Sequence, residues 1–486
     1  MNISTQVMPT TVIAANYSRA ALKTRIVHLG FGAFHRAHQA LITDEMLEET
    51  GSNWGICEIS LFGGEQLIKS LREQNHLYSV MEKGEHSNRV KVIRSVIESL
   101  HPQLDGIAPV LDKMTQEQVA IVSMTITEKG YCTDPGTGDL DKKNKLIQQD
   151  LLTPQAPVSA IGYIVEALRL RRKKGISPFT VLSCDNVQNN GKVAKAAVIG
   201  LAKLLDIELA EWIEANVTFP CTMVDRIVPA ATDETLKLIE STLGVADPCA
   251  IACEEFRQWV IEDNFVNGRP DWDSAGAEFV SNVVPFEEMK LRMLNGSHSF
   301  LAYLGYLGGY PHISDTMTNT DYRTAVYQLM MTEQAPTLNV PEGTDLEAYA
   351  RLLIARFTNP SLKHQTWQIA MDGSQKLPQR MLESIHFHIE HGNDYKLLAL
   401  GLAAWMRYVG ECDEEDKNID VRDPLLAQLR TVYAQHGSNV TVVRGLLQLQ
   451  AIFGNLADNE QFVVQVEMAY QRLISDGARA CVAQSI

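Results

Sequence analysis

The sequence predicts an α/β amino-terminal domain followed by a mainly α-helical carboxy-terminal domain, with the boundary near Pro285. Three observations predict it. Short β-rich apolar runs alternate with helix-like stretches through the first half; a strand, a glycine turn and a helix stand in succession near the start; and beyond Pro285 helical spacing dominates. The chain has 486 residues, more than one ordinary core organises, so two domains are expected, 1–285 and 286–486.

Taken in order, Ile26 to Leu29 form a short apolar strand, two glycines fall one residue apart at Gly30 and Gly32, and Ala37 to Met46 read as helix. Trp54 to Leu61, Gln118 to Ile126 and Pro178 to Cys184 are further β-rich runs. Between them Ile161 to Arg172 carries apolar residues at helical spacing and ends in a basic run. Strands separated by helices predict a mostly parallel sheet covered on both faces. The stretch Leu77 to Ile97 reads as a strand insertion rather than a crossover helix. Pro285 starts a helix, favoured by Glu287 and Glu288 in its first turn. Leu346 to Phe357, Leu397 to Tyr408 and Asn459 to Leu473 read as long helices, whereas 339–345 and 413–423 read as exposed loops.

Composition narrows the function. Forty-five per cent hydrophobic and 21% charged residues are ordinary globular values. The net charge of −16, with no compensating basic run, argues against nucleic-acid and anionic-membrane partners. Apolar stretches such as Phe300 to Leu307 are too short to span a bilayer, so no membrane association is expected. The eight cysteines are scattered, with Cys249 and Cys253 the only close pair and no second ligand pair beside them, so no metal is expected. A polar lead-in from Met1 to Ser18 lacks a secretory core, and reduced thiols in a cytoplasmic protein are the simplest account.

The segment Lys290-Leu-Arg-Met-Leu-Asn295-Gly-Ser-His298 carries chemistry. On an α-helix at roughly 100° per residue, Asn295 and His298 lie about 140° and 80° around from Lys290, so all three can face one cleft. Lysine serves as acid or base near neutrality when burial lowers its pKa, asparagine holds a carbonyl or alkoxide oxygen without taking its proton, and histidine orients a hydroxyl. Such a set suits interconversion of an alcohol and a ketone without a metal; the alternative is a surface lysine beside an ordinary helix.

The amino-terminal glycines offer the partner chemistry. A strand, Gly30-Phe31-Gly32-Ala33-Phe34-His35-Arg36 and a helix form the context of a dinucleotide loop, where helix N–H groups meet a pyrophosphate. The third glycine of the usual pattern is replaced by His35, and His35, Arg36 and His38 at the helix start read as phosphate contacts rather than metal ligands. NAD selection calls for an acid after the second strand; of Glu58 and Glu65, position favours Glu65, and the lack of a basic cluster there favours NAD over NADP.

These motifs make the chain resemble the polyol-specific long-chain dehydrogenase/reductase family, which includes mannitol dehydrogenases and hexuronate reductases. The family's Lys-x4-Asn-x2-His signature fits Lys290, Asn295 and His298, and the glycine loop matches down to its missing third glycine. Segments 125–131, 183–186, 222–229, 256–265 and 371–380 extend the match to the hexuronate-reductase branch. The resemblance implies a Rossmann-like NAD domain, a helical substrate domain with the cleft between them, and a monomer acting on a small sugar acid. It implies interconversion of D-mannonate and D-fructuronate, with tagaturonate or mannitol as alternative substrates and a non-catalytic nucleotide-binding protein as the alternative of another class. It also implies that Lys290 moves the proton, Asn186 and Asn295 hold the reacting oxygen, His298 orients the substrate and Glu128 relays protons to solvent. Asp225 touches the substrate or holds the lysine in that reading, although it could instead form a buried pair with Arg226. Lys376 matches a segment lining the substrate cleft, and Arg380 and Arg257 are further candidates for the carboxylate.

Overall fold

The computed structural model describes Ile3, Pro9 and residues 11–84, 87–134 and 137–486, so part of the polar lead-in lies outside the described residues. The chain forms two compact units, Met1–Val284 and Pro285–Ile486.

The first unit is built on a parallel sheet of Lys23–Leu29, Trp54–Ile59, Val96–Leu100, Ile121–Met124 and Thr180–Ser183. Counted in chain order these strands lie 3-2-1-4-5, the order of a dinucleotide-binding half with its continuation. The strands are apolar on both faces because helices cover both. Val27, Leu29, Val122 and Val181 pack with the helices Ala160–Lys174 and Asn190–Leu205, whereas Ile26, Ile56, Ile121 and Leu182 pack with Gln39–Thr50. Helix Ala160–Lys174 starts where the Ser159 hydroxyl accepts from the Gly162 amide, and it stops at Gly175 (φ 66°), with four basic residues facing its negative end.

The 77–97 stretch divides. Tyr78–Lys83 and Asn88–Ile93 form an antiparallel pair in a second sheet with Val12–Ala14 and Ile251–Glu254. The following strand, Val96–Leu100, is the third strand of the main sheet, so reading the whole stretch as an insertion is corrected. A third sheet pairs Thr222–Asp225 antiparallel with Gln258–Glu262, which runs parallel to Glu278–Val280.

The second unit is helical. Lys396–Tyr408 is apolar all round and buried accordingly, and it packs on Ser297–Leu307 and Glu460–Asp476. Close approach is enforced at Gly373, where a Cβ would lie 2.3 Å from Trp405 Nε1 and 2.5 Å from the Tyr303 hydroxyl. Three π-helical segments, Lys290–Gly296, Leu329–Gln334 and Pro378–Leu382, interrupt the α-helices of this unit. They meet at Gly296, whose absent Cβ would stand 2.4 Å from Gln334 Nε2 and 2.6 Å from the Arg380 carbonyl. Among the described residues no helix is long and apolar enough to cross a membrane.

Candidate active site

At the start of the second unit the helix Val284–Met289 leads into the π-helical segment, which Lys290 opens. This changes the geometry expected from an α-helix. A π-turn repeats its hydrogen bonding from i to i+5, so Asn295 comes round to Lys290's side of the helix instead of about 140° away. His298 follows in the first turn of Ser297–Leu307. Lys290 and His298 are each only 7% exposed, while Asn295 is half-buried. The His298 ring stands 4.6 Å from Phe357 and 5.3 Å from His364. Burial, then the neighbouring His364, Arg356 and Arg380, hold His298 neutral, far below its usual pKa. A neutral imidazole both donates and accepts, as orienting a hydroxyl requires.

Arg380 lies against this segment: its Nη1 donates to Ser299 Oγ (3.1 Å) and the Asn295 carbonyl (3.4 Å). Lys376 Nζ donates to the Met371 carbonyl at 2.6 Å and stands 3.8 Å from Asp372. Burial lowers the pKa of both cations. Arg257 belongs to the first unit, where its guanidinium pairs with Glu45 and donates to the Ala275 carbonyl.

The glycine loop leaves the first strand at Gly30 (φ 114°), where a Cβ would collide with the Thr125 carbonyl oxygen at 2.2 Å. Gly32 caps the short helix Ala33–Ala37 with nothing within 4 Å of the position a Cβ would take. Gly32 is exposed and Ala33 and Phe34 are half-buried, whereas Phe31 is buried. Gly32, Ala33 and Phe34 therefore form the open rim. This fits a dinucleotide, because a pyrophosphate approaches backbone amides where a side chain would obstruct it.

The side chains read as phosphate contacts are turned inward. His35 Nε2 is 2.5 Å from Glu58 Oε1, and both residues are buried. The His35 ring stacks on His28 at 3.4 Å, and His28 bonds Ser123 Oγ (2.8 Å) and Thr125 Oγ1 (2.9 Å). Thr125 Oγ1 in turn donates to the Gly30 carbonyl. Arg36 Nη1 donates to the Cys249 carbonyl at 2.6 Å, and His38 bonds the Gln258 carbonyl. His35, Arg36 and His38 therefore brace the loop from beneath, and the phosphate-contact reading of their side chains is corrected. Burial pushes Glu58 up to about 8 and His35 down to about 3, so this His–Glu pair beneath the loop carries little charge at neutral pH.

His28, His35 and Glu58 also bring their ligand atoms within 4.8 Å of one another. Rings stacked 3.4 Å apart at 13° lie in separate, nearly parallel planes that one ion cannot share, so the cluster reads as a hydrogen-bond network rather than a metal centre. A signal for it stands in the sequence: Ile26-Val-His28-Leu, Ile56-Cys-Glu58-Ile and Ile121-Val-Ser123-Met each place one polar residue third in an apolar run. Pairing aligns the three side by side. Glu58 is sealed beneath the loop, whereas Glu65 opens the helix Glu65–Glu73 after Gly64 and is partly exposed.

The ends of the fourth and fifth strands are tied by Asp185, whose carboxylate accepts from the Ile126 amide (3.0 Å), the Thr127 amide (2.9 Å) and the Tyr131 hydroxyl (2.6 Å). This holds Glu128 exposed on one strand end and Asn186 exposed on the next. Asp185 escaped notice because its partners are two strand-end amides that no side-chain pattern reveals. Asp225 ends the strand Thr222–Asp225 and is buried. Arg226 Nη2 forms a salt bridge with Glu82 at 2.6 Å.

Comparison with known proteins matches this arrangement. The family model of the mannitol dehydrogenase Rossmann domain matches residues 24–274, and that of the mannitol dehydrogenase C-terminal domain matches residues 282–474. D-mannonate oxidoreductase of Escherichia coli (strain K12) is 61% identical over 484 residues, covering 98% of this chain and 99% of that protein. A substrate-free D-sorbitol dehydrogenase structure superposes with a TM-score of 0.91 at 34% identity, over 98% of each chain. The ternary complex of Pseudomonas fluorescens mannitol 2-dehydrogenase with NAD and D-mannitol gives 0.85 at 34% identity, over 98% of this chain and 97% of that one. With both units matched end to end, the chain belongs to the mannitol dehydrogenase family.

Proposed function

We propose that this protein is an NAD-dependent oxidoreductase that interconverts D-mannonate and D-fructuronate. The observation that carries the mechanism is the register of Lys290 and Asn295, one π-turn apart on a buried segment, with His298 in the next turn. The 61% identity to a D-mannonate oxidoreductase supports the substrate.

NAD when bound supplies the hydride acceptor, and the rim formed by Gly32, Ala33 and Phe34 would hold its pyrophosphate, with Glu65 at the ribose. During oxidation Lys290 takes the hydroxyl proton of the sugar acid; during reduction it returns that proton to the carbonyl oxygen. The Asn295 amide donates to the same oxygen and stabilises its alkoxide character, an effect worth about 3 kcal/mol per donor in comparable sites. The family resemblance gives Asn186 the second amide, Glu128 the exchange of protons with solvent and Asp225 a contact to substrate or lysine. His298, neutral, orients a neighbouring hydroxyl. Lys376 and Arg380 supply positive charge for the carboxylate, which a chain of net charge −16 must concentrate locally.

The test is NADH oxidation by the purified protein with D-fructuronate, D-tagaturonate and D-fructose in parallel. A dominant kcat/KM for fructuronate is expected. Preference for tagaturonate or fructose overturns the substrate and keeps the chemistry, while inactivity with all three overturns the enzymatic reading.

A further inference from the structure

One imidazole of the second unit stands against His298 with no role assigned so far. His364 follows the helix Leu346–Thr358, in a segment where Gln365 bridges His312 and the His364 carbonyl accepts from the Ile313 amide at 2.9 Å. Its backbone is thus pinned, and its ring meets the His298 ring edge-on, 5.3 Å between centroids at 89°. Its Nδ1 is buried and has no hydrogen-bond partner among the described residues. Buried polar atoms of folded chains are overwhelmingly paired, so an orphan beside the substrate-orienting histidine points to a partner that comes with the substrate.

The surroundings identify that partner's chemistry. Arg380 is anchored on Ser299 and the Asn295 carbonyl and bears on His298 with positive charge. A guanidinium and a second imidazole beside His298 favour an anion, and burial lowers the pKa of His364, so that it presents an N–H donor rather than a second full charge. In a hexuronate the carboxylate lies at the opposite end of the chain from the reacting carbonyl, so it needs partners other than the lysine and amide that serve that carbonyl.

We propose that His364 is a specificity residue: its Nδ1–H donates to the carboxylate of the sugar acid, beside Arg380, and so separates sugar acids from neutral polyols. This rests on the sugar-acid reading above and names a residue that neither the Lys-x4-Asn-x2-His signature nor the 371–380 segment contains.

The experiment compares wild type, His364→Ala and His364→Asn, since an asparagine amide can occupy the place of Nδ1. Initial rates are taken with D-fructuronate, together with competitive inhibition by D-mannonate and by D-mannitol. His364→Ala is expected to lose roughly tenfold or more in kcat/KM for fructuronate, mostly through KM, as for one hydrogen bond to a charged group. Inhibition by D-mannonate should weaken in parallel, inhibition by D-mannitol should stay within about twofold, and His364→Asn should recover part of the loss. Equal weakening of D-mannonate and D-mannitol, or no loss with fructuronate, overturns the assignment while wild-type turnover of fructuronate leaves the function standing. A wild type inert with fructuronate overturns both.

Discussion

Adding one methyl group at Gly32 should separate nucleotide binding from folding. Gly32 has φ −79° and ψ 168°, which any residue adopts, and a Cβ there meets nothing within 4 Å. Gly32→Ala should therefore fold with its stability changed by less than about 0.5 kcal/mol. The methyl would occupy the open rim on which the pyrophosphate is expected to lie. Displacing one charge-assisted hydrogen bond between phosphate and backbone amide costs about 1.5–3 kcal/mol, so Kd for NADH should rise roughly 10- to 150-fold. Gly30→Ala is the contrast: its Cβ would sit 2.2 Å from the Thr125 oxygen, at φ 114°. Left-handed backbone alone costs about 1–2 kcal/mol for a residue with a Cβ, before the clash, so this variant should lose stability as well as affinity. NADH fluorescence titration and thermal melting on the same samples read both effects. A Gly32→Ala protein that binds NADH within threefold of wild type refutes the placement of the pyrophosphate, and one that melts well below wild type refutes the openness of the rim.

Glu58→Gln should flatten the pH dependence of stability. The folded carboxyl, raised to about 8, keeps a proton that the unfolded one, near 4.3, has lost; wild-type stability therefore falls as pH rises between those values and levels off above. Thermal melts from pH 5.5 to 8.5 should show the variant gaining on wild type as pH increases, and parallel curves would mean that Glu58 is ionised in the fold. Asp185→Asn puts an amide where two backbone N–H groups and the Tyr131 hydroxyl donate, and should cost about 1–3 kcal/mol in chemical denaturation. Its kcat should fall as well, because the segment bearing Glu128 loosens. Lys376→Ala should raise KM for fructuronate several-fold with little change in KM for NADH; steady-state kinetics with either substrate varied would reveal the opposite pattern.

What could be read from the sequence depended on how local its cause was. The strand and glycine turn at 26–32 and the helix Ala160–Lys174 are set by neighbours within a few residues, and they stand in the structure where the pattern places them. The strand insertion at 78–93 was legible, but the sheet it joins was not, because its other strands pair across long stretches of chain, as when Ile251–Glu254 joins Tyr78–Lys83. The inward turn of His35 was missed for the same reason: its partner Glu58 lies on another strand, and a polar residue after two glycines looks like a ligand contact until that strand is in place. The π-turn at Lys290 is subtler still. Its residues are ordinary helix formers, and the change of hydrogen-bond register comes with the packing of Gly296 against Gln334 and Arg380, far along the chain.

The most direct test of the account is Lys290→Ala, assayed for fructuronate reduction and for NADH binding in one preparation. If Lys290 moves the proton, kcat should fall by about two to four orders of magnitude while Kd for NADH stays within about twofold. A variant that keeps more than about a tenth of wild-type kcat would remove Lys290 from the chemistry and the proposed mechanism with it.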